Sequence, residues 1–297
     1  MSRARAAVRA ASAVAVTVLA GLLGACGGET GGDAAASAPA SAPSRAETVR
    51  PPALVLVKGD WGWGGRAQAA VTGRMCRIAR RERIRTVITT GDNFYRPDGV
   101  ATAENWTGPE ACLTRLGVRW RPAWGNHDLL GDGTATALGA SRRHYAFRMG
   151  PMRVIVLDAN TPEDPAQMRF LRRALTTARE PVKVVVFHQP AYTAGLHAPG
   201  KAQRRLWAPL FRRHGVALVL QGHNHAYERL VVGGVTYITT GGGGAPVYPC
   251  VRLLTTGLRT CRPVHHFLRL AADKRAVEIR AIDARGRILE RVRVPAR

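Results

Sequence analysis

Carboxylates, an amide, a phenol and imidazoles recur along this chain in short, mostly glycine-led fragments. They are Gly59-Asp60, Gly91-Asp92-Asn93-Phe94-Tyr95, Gly125-Asn126-His127-Asp128, His188, His197 and Gly222-His223-Asn224-His225. Each oxygen of a carboxylate can take one cation, so a single Asp can bridge two. Neutral imidazoles and an amide oxygen complete the shells without cancelling the charge. This mixture suits two hard-to-borderline metal ions. Two such ions about 3.5–4 Å apart can clamp the attacking and leaving oxygens of an in-line displacement at phosphorus. Taken singly, Asp60 or Asp92 reads as a helix cap or turn residue, Asn126 as a turn residue and Tyr95 as a half-buried aromatic. Their joint occurrence, in order, points to a dimetal site for phosphate-ester hydrolysis.

The elements that must position these groups alternate short apolar runs with amphipathic stretches, which indicates an α/β body. A strand over Ala53–Val57 ends at Gly59-Asp60, and a helix is expected over Arg66 to Arg81. A strand over Thr86–Thr90 ends at Gly91-Asp92, and after a helix near Cys112 the run Arg121–Trp124 leads into Gly125-Asn126. His144–Met149 and Arg153–Leu157 read as strands and Gln167–Ala178 as a helix. Val182–Phe187 delivers His188, a helix covers Lys201–His214, and Val216–Leu220 delivers Gly222-His223. Beyond these, Leu230–Val232, Val235–Thr239, His266–Ala271, Ala276–Ile282 and Ile288–Val294 alternate like antiparallel strands. Ligands of open α/β sheets sit beyond the carboxyl ends of the strands. Asp60, Asp92, Asn126, His188 and His223 all fall there, so one shared site is permitted.

The fragments resemble those of the calcineurin-like metallophosphoesterases, and within them the purple acid phosphatases. Gly59-Asp60-Trp61-Gly62, Gly91-Asp92-Asn93-Phe94-Tyr95 and Gly125-Asn126-His127-Asp128 are similar to the tartrate-resistant acid phosphatase versions. Gly222-His223-Asn224-His225-Ala226-Tyr227-Glu228-Arg229 is similar to the plant-type version. Many metallophosphoesterases begin with Asp-x-His; here Gly62 stands at that His, and Tyr95 is the purple acid phosphatase replacement. The stretch from Gly59 to Gly65 is slightly expanded against the family's usual run. The resemblance spans roughly residues 53–295.

It implies a four-layer α/β fold, a sandwich of two mixed β-sheets flanked by helices. It implies one metal held by Asp60, Asp92, Tyr95 and His225, and a second by Asp92, Asn126, His188 and His223. Fe(III) is expected at Tyr95, because a free phenol has a pKa near ~10 and needs a strongly acidic ion to lose its proton. Fe, Zn or Mn is expected at the second position. His127 would contact the substrate phosphate with Asp128 orienting it, and His197 would bind phosphate or protonate the leaving alkoxide. The implied reaction is direct attack of a metal-bound hydroxide on a small phosphate monoester. A phosphodiesterase on the same fold, or a non-catalytic polyanion-binding lipoprotein, are the alternatives. His144, His214, His265 and His266 match no ligand spacing, and Gly241–Gly244 reads as a tight turn near the metals.

Arg3, Arg5 and Arg9 precede an apolar run from Ala11 to Leu23, followed by Leu23-Gly24-Ala25-Cys26. That ending resembles a bacterial lipobox. Residues 1–25 are therefore expected to be a lipoprotein signal peptide, and 26–52 a lipidated Cys26 with a Gly-, Ala-, Ser- and Pro-rich tether. Residues 53–297 form the catalytic domain. The protein is thus expected to be exported and lipid-anchored to the outer face of the bacterial cell membrane. The 44 Lys+Arg against 20 Asp+Glu give +24, mostly from Arg spread along the chain, which reads as a solvated surface that could also attract polyanions. Basic motifs interleaved with aromatics are lacking, so no dedicated nucleic-acid binding is expected. Cys76, Cys112, Cys250 and Cys261 allow three disulfide pairings; Cys250 with Cys261 is the local choice, which leaves Cys76 to Cys112. The oligomeric state is open.

Overall fold

The computed structural model describes residues 52–297. The expected signal peptide, the lipidated Cys26 and all but the last tether residue lie outside the described residues. In chain order come β1 (Ala53–Lys58), α1 (Gly65–Glu82), β2 (Thr86–Thr89), α2 (Ala111–Arg115), β3 (Arg119–Pro122) and α3 (Gly133–Leu138). Next are β4 (Tyr145–Met149), β5 (Met152–Val156), α4 (Pro165–Thr177), β6 (Val182–Val186), α5 (Ala208–Arg213) and β7 (Leu218–Gln221). The chain closes with β8 (Tyr227–Val232), β9 (Val235–Thr240), β10 (Leu258–Arg262), β11 (His266–Ala272), β12 (Ala276–Asp283) and β13 (Ile288–Pro295).

Two mixed sheets result, in the orders β13-β12-β11-β1-β2-β3 and β10-β8-β9-β7-β6-β5-β4. In the first, β1, β2 and β3 run parallel while β11 pairs antiparallel with β1. In the second, β5, β6, β7 and β9 are parallel. Because strand side chains alternate between faces, each sheet has an inner and an outer apolar set. Val55, Val57, Ile88, Leu268 and Leu270 of one sheet meet Val154, Val184, Val186, Leu218 and Ile238 of the other. On the outside, Leu56, Val87 and Phe267 pack under α1 through Val71, Met75 and Ala79. Ile155, Val185, Val219 and Tyr237 pack under α4 and α5 through Leu171, Leu175 and Phe211. The four-layer α/β arrangement with two mixed sheets is thereby formed, and β1, β6 and β7 need continuous apolar runs because both their faces are covered.

Helix α1 buries Gln68, Val71, Thr72, Met75, Cys76 and Ala79, a single stripe at helical spacing. It stops where Arg83 turns left-handed (φ 57°), its N–H bonding back to Ala79 O. The helix expected over Lys201–His214 contains a widened turn at Gln203–Trp207 before α5. Pro209 accounts for it, since it has no N–H to bond to Arg205 O. Strand β10 was not legible from its sequence; it pairs with β8 at an edge, with a register shift between Leu258 and Thr260. Disulfides join Cys76 to Cys112, tying α1 to α2, and Cys250 to Cys261, tying the preceding loop to β10. Among the described residues no helix is long and apolar enough to cross a membrane.

Candidate metal centre

The C-terminal ends of β1, β2, β3, β6 and β7 meet along one edge of the sandwich. At three of these ends the chain turns sharply through a non-glycine residue at positive φ: Asp60 (55°), Asp92 (48°) and His223 (70°). Such left-handed backbone costs about 1–3 kcal/mol per residue and persists where the surroundings over-determine it. Here it aims three ligand-type side chains into one space. The neighbouring glycines make the close approach possible. A Cβ on Gly91 would stand 2.7 Å from His188 Nδ1, and one on Gly125 would stand 2.1 Å from Asp92 Oδ1.

Two groups of donors form. In the first, ligand atoms of Asp92, His188 and His223 all lie within 4.8 Å of one another. His188 Nδ1 is 2.9 Å from Thr90 O, so that nitrogen carries the proton and Nε2 faces Asp92 Oδ2 at 3.2 Å. In the second, Tyr95 Oη donates to Asp60 Oδ1 (3.2 Å) and lies 2.9 Å from His225 Nε2. His225 Nε2 is also 3.4 Å from Asp60 Oδ1, and its Nδ1 is 2.6 Å from Pro246 O. The groups are stitched together by backbone: His127 N–H donates to Asp92 Oδ1 at 2.9 Å, and His223 N–H to both oxygens of Asp60 at 3.0 and 3.1 Å. The ring of Tyr95 lies 4.5 Å from that of His127, and the ring of His197 lies 4.3 Å from that of His223.

The electrostatics are those of a site short of positive charge. Burial disfavours ionisation of Asp92, yet His188 and the His127 backbone hold its carboxyl below the usual range. Burial opposes protonation of His188, but Asp92 and Asp60 raise it to about 9. His223 is pushed down to about 3 by burial and by neighbouring His188 and His197. Burial and the carboxylates of Asp60 and Asp92 push the Tyr95 phenol well above its ordinary value. The buried Asn126 Oδ1 has no hydrogen-bond partner, and the buried His188 Nε2 has only its 3.2 Å ion-pair contact with Asp92. Unmet buried acceptors cost about 1–3 kcal/mol each. Carboxylates, imidazoles, an unpartnered amide oxygen and an ionisable phenol are together a donor set suited to two metal ions, so the residues fit.

The structure therefore brings Asp60, Asp92, Tyr95, Asn126, His127, His188, His197, His223 and His225 to one place. Asp128 does not hold the His127 side chain as expected. Its buried carboxylate accepts from Asn93 N (2.8 Å), Asn93 Nδ2 (2.9 Å), Gly125 N (2.7 Å) and Thr134 Oγ1 (2.8 Å), whereas His127 Nδ1 has no partner. Asp128 braces the Asp92 and Asn126 loops instead. Sequence reasoning missed Tyr248, whose ring stacks on His225 at 4.0 Å, because its loop carries no motif. It also missed the part played by Asn224, whose Oδ1 accepts from His197 N at 2.7 Å. The only signal was its place between two ligand histidines.

The sequence profile of the Calcineurin-like phosphoesterase family matches residues 53–227. The chain belongs to that family. The chain is 25% identical to Purple acid phosphatase 17 of Arabidopsis thaliana over 230 residues, 63% of this chain and 67% of that one. It is 25% identical to Tartrate-resistant acid phosphatase type 5 of Homo sapiens over 244 residues, 67% of this chain and 75% of the other. Among solved structures, a purple acid phosphatase from yellow lupin (Lupinus luteus) seeds superposes with a TM-score of 0.68 at 17% identity, covering 82% of this chain and 53% of the lupin chain. As a calcineurin-like phosphoesterase with purple acid phosphatase relatives, the protein is a metal-binding hydrolase of phosphate esters.

Proposed function

We propose that this phosphoesterase is a dinuclear phosphatase acting on phosphate monoesters. The observation that carries the reading is the position of Asp92, beside His188 and His223 and bonded to the backbone of His127, whose ring lies 4.5 Å from that of Tyr95. Asp92 would bridge; Asp60, Tyr95 and His225 would complete one shell and Asn126, His188 and His223 the other. The chemistry such ions supply is charge neutralisation and activation of a water. The chain's own part is orientation. Thr90 O and Pro246 O fix the rings of His188 and His225, each through Nδ1. His127 and His197 flank the two donor groups, where an imidazole can hold a phosphate oxygen or return a proton to the departing alkoxide. Direct transfer to water, without a covalent phospho-enzyme, is the reaction such an arrangement would support.

Iron(III) at Tyr95 is favoured by the same electrostatics: with two carboxylates opposing ionisation, the phenol needs a strongly charged partner to become phenolate. Fe, Zn or Mn suits the second, imidazole- and amide-rich position. The lipobox-like Leu23-Gly24-Ala25-Cys26 and the tether-like composition of 26–52 support export and attachment to the outer face of the membrane.

Metal analysis with an absorption spectrum of the native protein tests the reading. About two ions per chain and a visible tyrosinate-to-iron band that Tyr95→Phe shifts or abolishes are expected, with Asp92→Asn losing metal and turnover together. A colourless, fully active zinc or manganese enzyme would overturn the iron assignment alone. Faster turnover of diesters than of monoesters would overturn the substrate class.

A further inference from the structure

Among the described residues, ten large apolar side chains are exposed: Trp63, Val100, Leu129, Leu130, Leu196, Val247, Val251, Leu253, Leu254 and Ile288. Scattered exposed apolar residues are ordinary; their concentration is not. All but Ile288 lie on loops that carry the site residues or stack on them. Trp63 follows Asp60, and its ring lies 5.3 Å from Tyr95. Leu129 and Leu130 follow His127, and the backbone of Leu130 lies against Gly99, beside Val100. Leu196 precedes His197. Val247 adjoins Tyr248, and the loop continues through Val251, whose N–H bonds to Ala194 O, to Leu253 (63% exposed) and Leu254 (fully exposed).

The opposite end of the sandwich is built differently. Its turns expose Arg83, Arg85, Arg179, Gly233, Gly234, Asp273 and Arg275, and none of the ten. Nine of the ten thus lie on loops at the edge that holds the metal centre, with exposed Arg66 and Arg142 near the same edge. A cavity of about 340 Å3 lined by Trp63, Arg66, Glu104, Pro246 and His265 extends the mouth beside Tyr95. Whatever seats on this rim must bring a substrate within reach of the metals. A lipid leaflet on the same rim would deliver one, because loop-tip leucines and valines suit the acyl boundary and arginines suit anionic headgroups.

We propose that the physiological substrate is a lipid phosphate held in a membrane surface, into which these loops dip while the headgroup reaches the metals. This rests on the reading of the centre as a phosphatase. Water adds at phosphorus, the bond to the lipid oxygen breaks, that oxygen takes a proton, and the products are the lipid alcohol and inorganic phosphate.

The test uses the full chain with its metals and with Cys26→Ser, so that no acyl anchor can form. Substrates are phosphatidic acid in phosphatidylcholine vesicles and, separately, soluble p-nitrophenyl phosphate. The double variants Leu129→Ser/Leu130→Ser and Leu253→Ser/Leu254→Ser are expected to lose about tenfold or more on vesicles while keeping p-nitrophenyl phosphate turnover. Equal losses on both substrates would make the rim structural and overturn the proposal. Undiminished turnover on vesicles would overturn it as well and assign the rim to a protein partner or a second copy. Absence of all hydrolysis by the unsubstituted enzyme would instead overturn the phosphatase reading.

Discussion

The backbone N–H of His223 donates to both carboxylate oxygens of Asp60, at 3.0 and 3.1 Å, across 163 positions of sequence. Asp60 leaves a strand of one sheet and His223 a strand of the other, so this fork joins the two sheets at the metal edge. Each residue is held at positive φ. Asp60→Ala leaves the N–H without an acceptor, whereas Asp60→Asn keeps one. In chelator-treated protein, urea unfolding is expected to show the alanine variant less stable than the asparagine variant by about 1–3 kcal/mol. Equal midpoints and slopes would show that the fork contributes nothing.

Asn224 links His197 to the interior. Its Oδ1 accepts from His197 N, and its Nδ2 donates to Thr193 Oγ1 at 2.8 Å, beside buried Glu228. Asn224→Ala should free the His197 loop without removing a ligand. A fall in kcat of about 10- to 100-fold is expected, below the full effect of losing an acid–base group, with metal content unchanged. Loss of metal in the variant would mean that Asn224 supports the ligands rather than His197.

Glu228 gives stability a pH dependence. Burial raises its carboxyl to about 7, against hydrogen bonds from Ala194 N and Thr193. The folded state therefore holds a proton that the unfolded chain has released above its ordinary value of 4.5. The contribution is fully present below 4.5 and is lost as pH rises through about 7. It amounts to about 3 kcal/mol at most. Glu228→Gln, which mimics the protonated form, should flatten the decline between these values in metal-free protein followed by chemical denaturation. An unchanged pH profile in the variant would refute the assignment.

Beneath the site, Lys58 and Glu110 form a wholly buried pair at 2.7 Å, with Lys58 Nζ 3.9 Å from the Trp61 ring centroid and Glu110 also accepting from Thr72. Burial lowers the Lys58 pKa, and Glu110 acts against that. Glu110→Ala strands a buried cation and is expected to cost about 3–5 kcal/mol. Lys58→Met with Glu110→Leu should recover most of it in thermal or urea unfolding, unless the pair stabilises more than packing can replace.

The periodicities of the chain determined most of the strands and helices, though not α3 or the edge strand β10. The ligand fragments, through their likeness to a known family, were enough to name the nine acid, amide, phenol and imidazole residues that converge on the metal edge, but not Tyr248 or the part of Asn224. These are local properties: side-chain alternation, a helical stripe such as Val71–Met75–Ala79, and an acid or imidazole just past a strand. Only the tertiary structure decided that β1 to β3 and β5 to β7 belong to separate sheets whose carboxyl ends share an edge. It also decided that Asp128 braces two loops, that Tyr248 covers His225, and that the apolar loop tips form one rim. Each of those facts depends on contacts between segments far apart in sequence, and pattern within a segment carries no record of its distant neighbours.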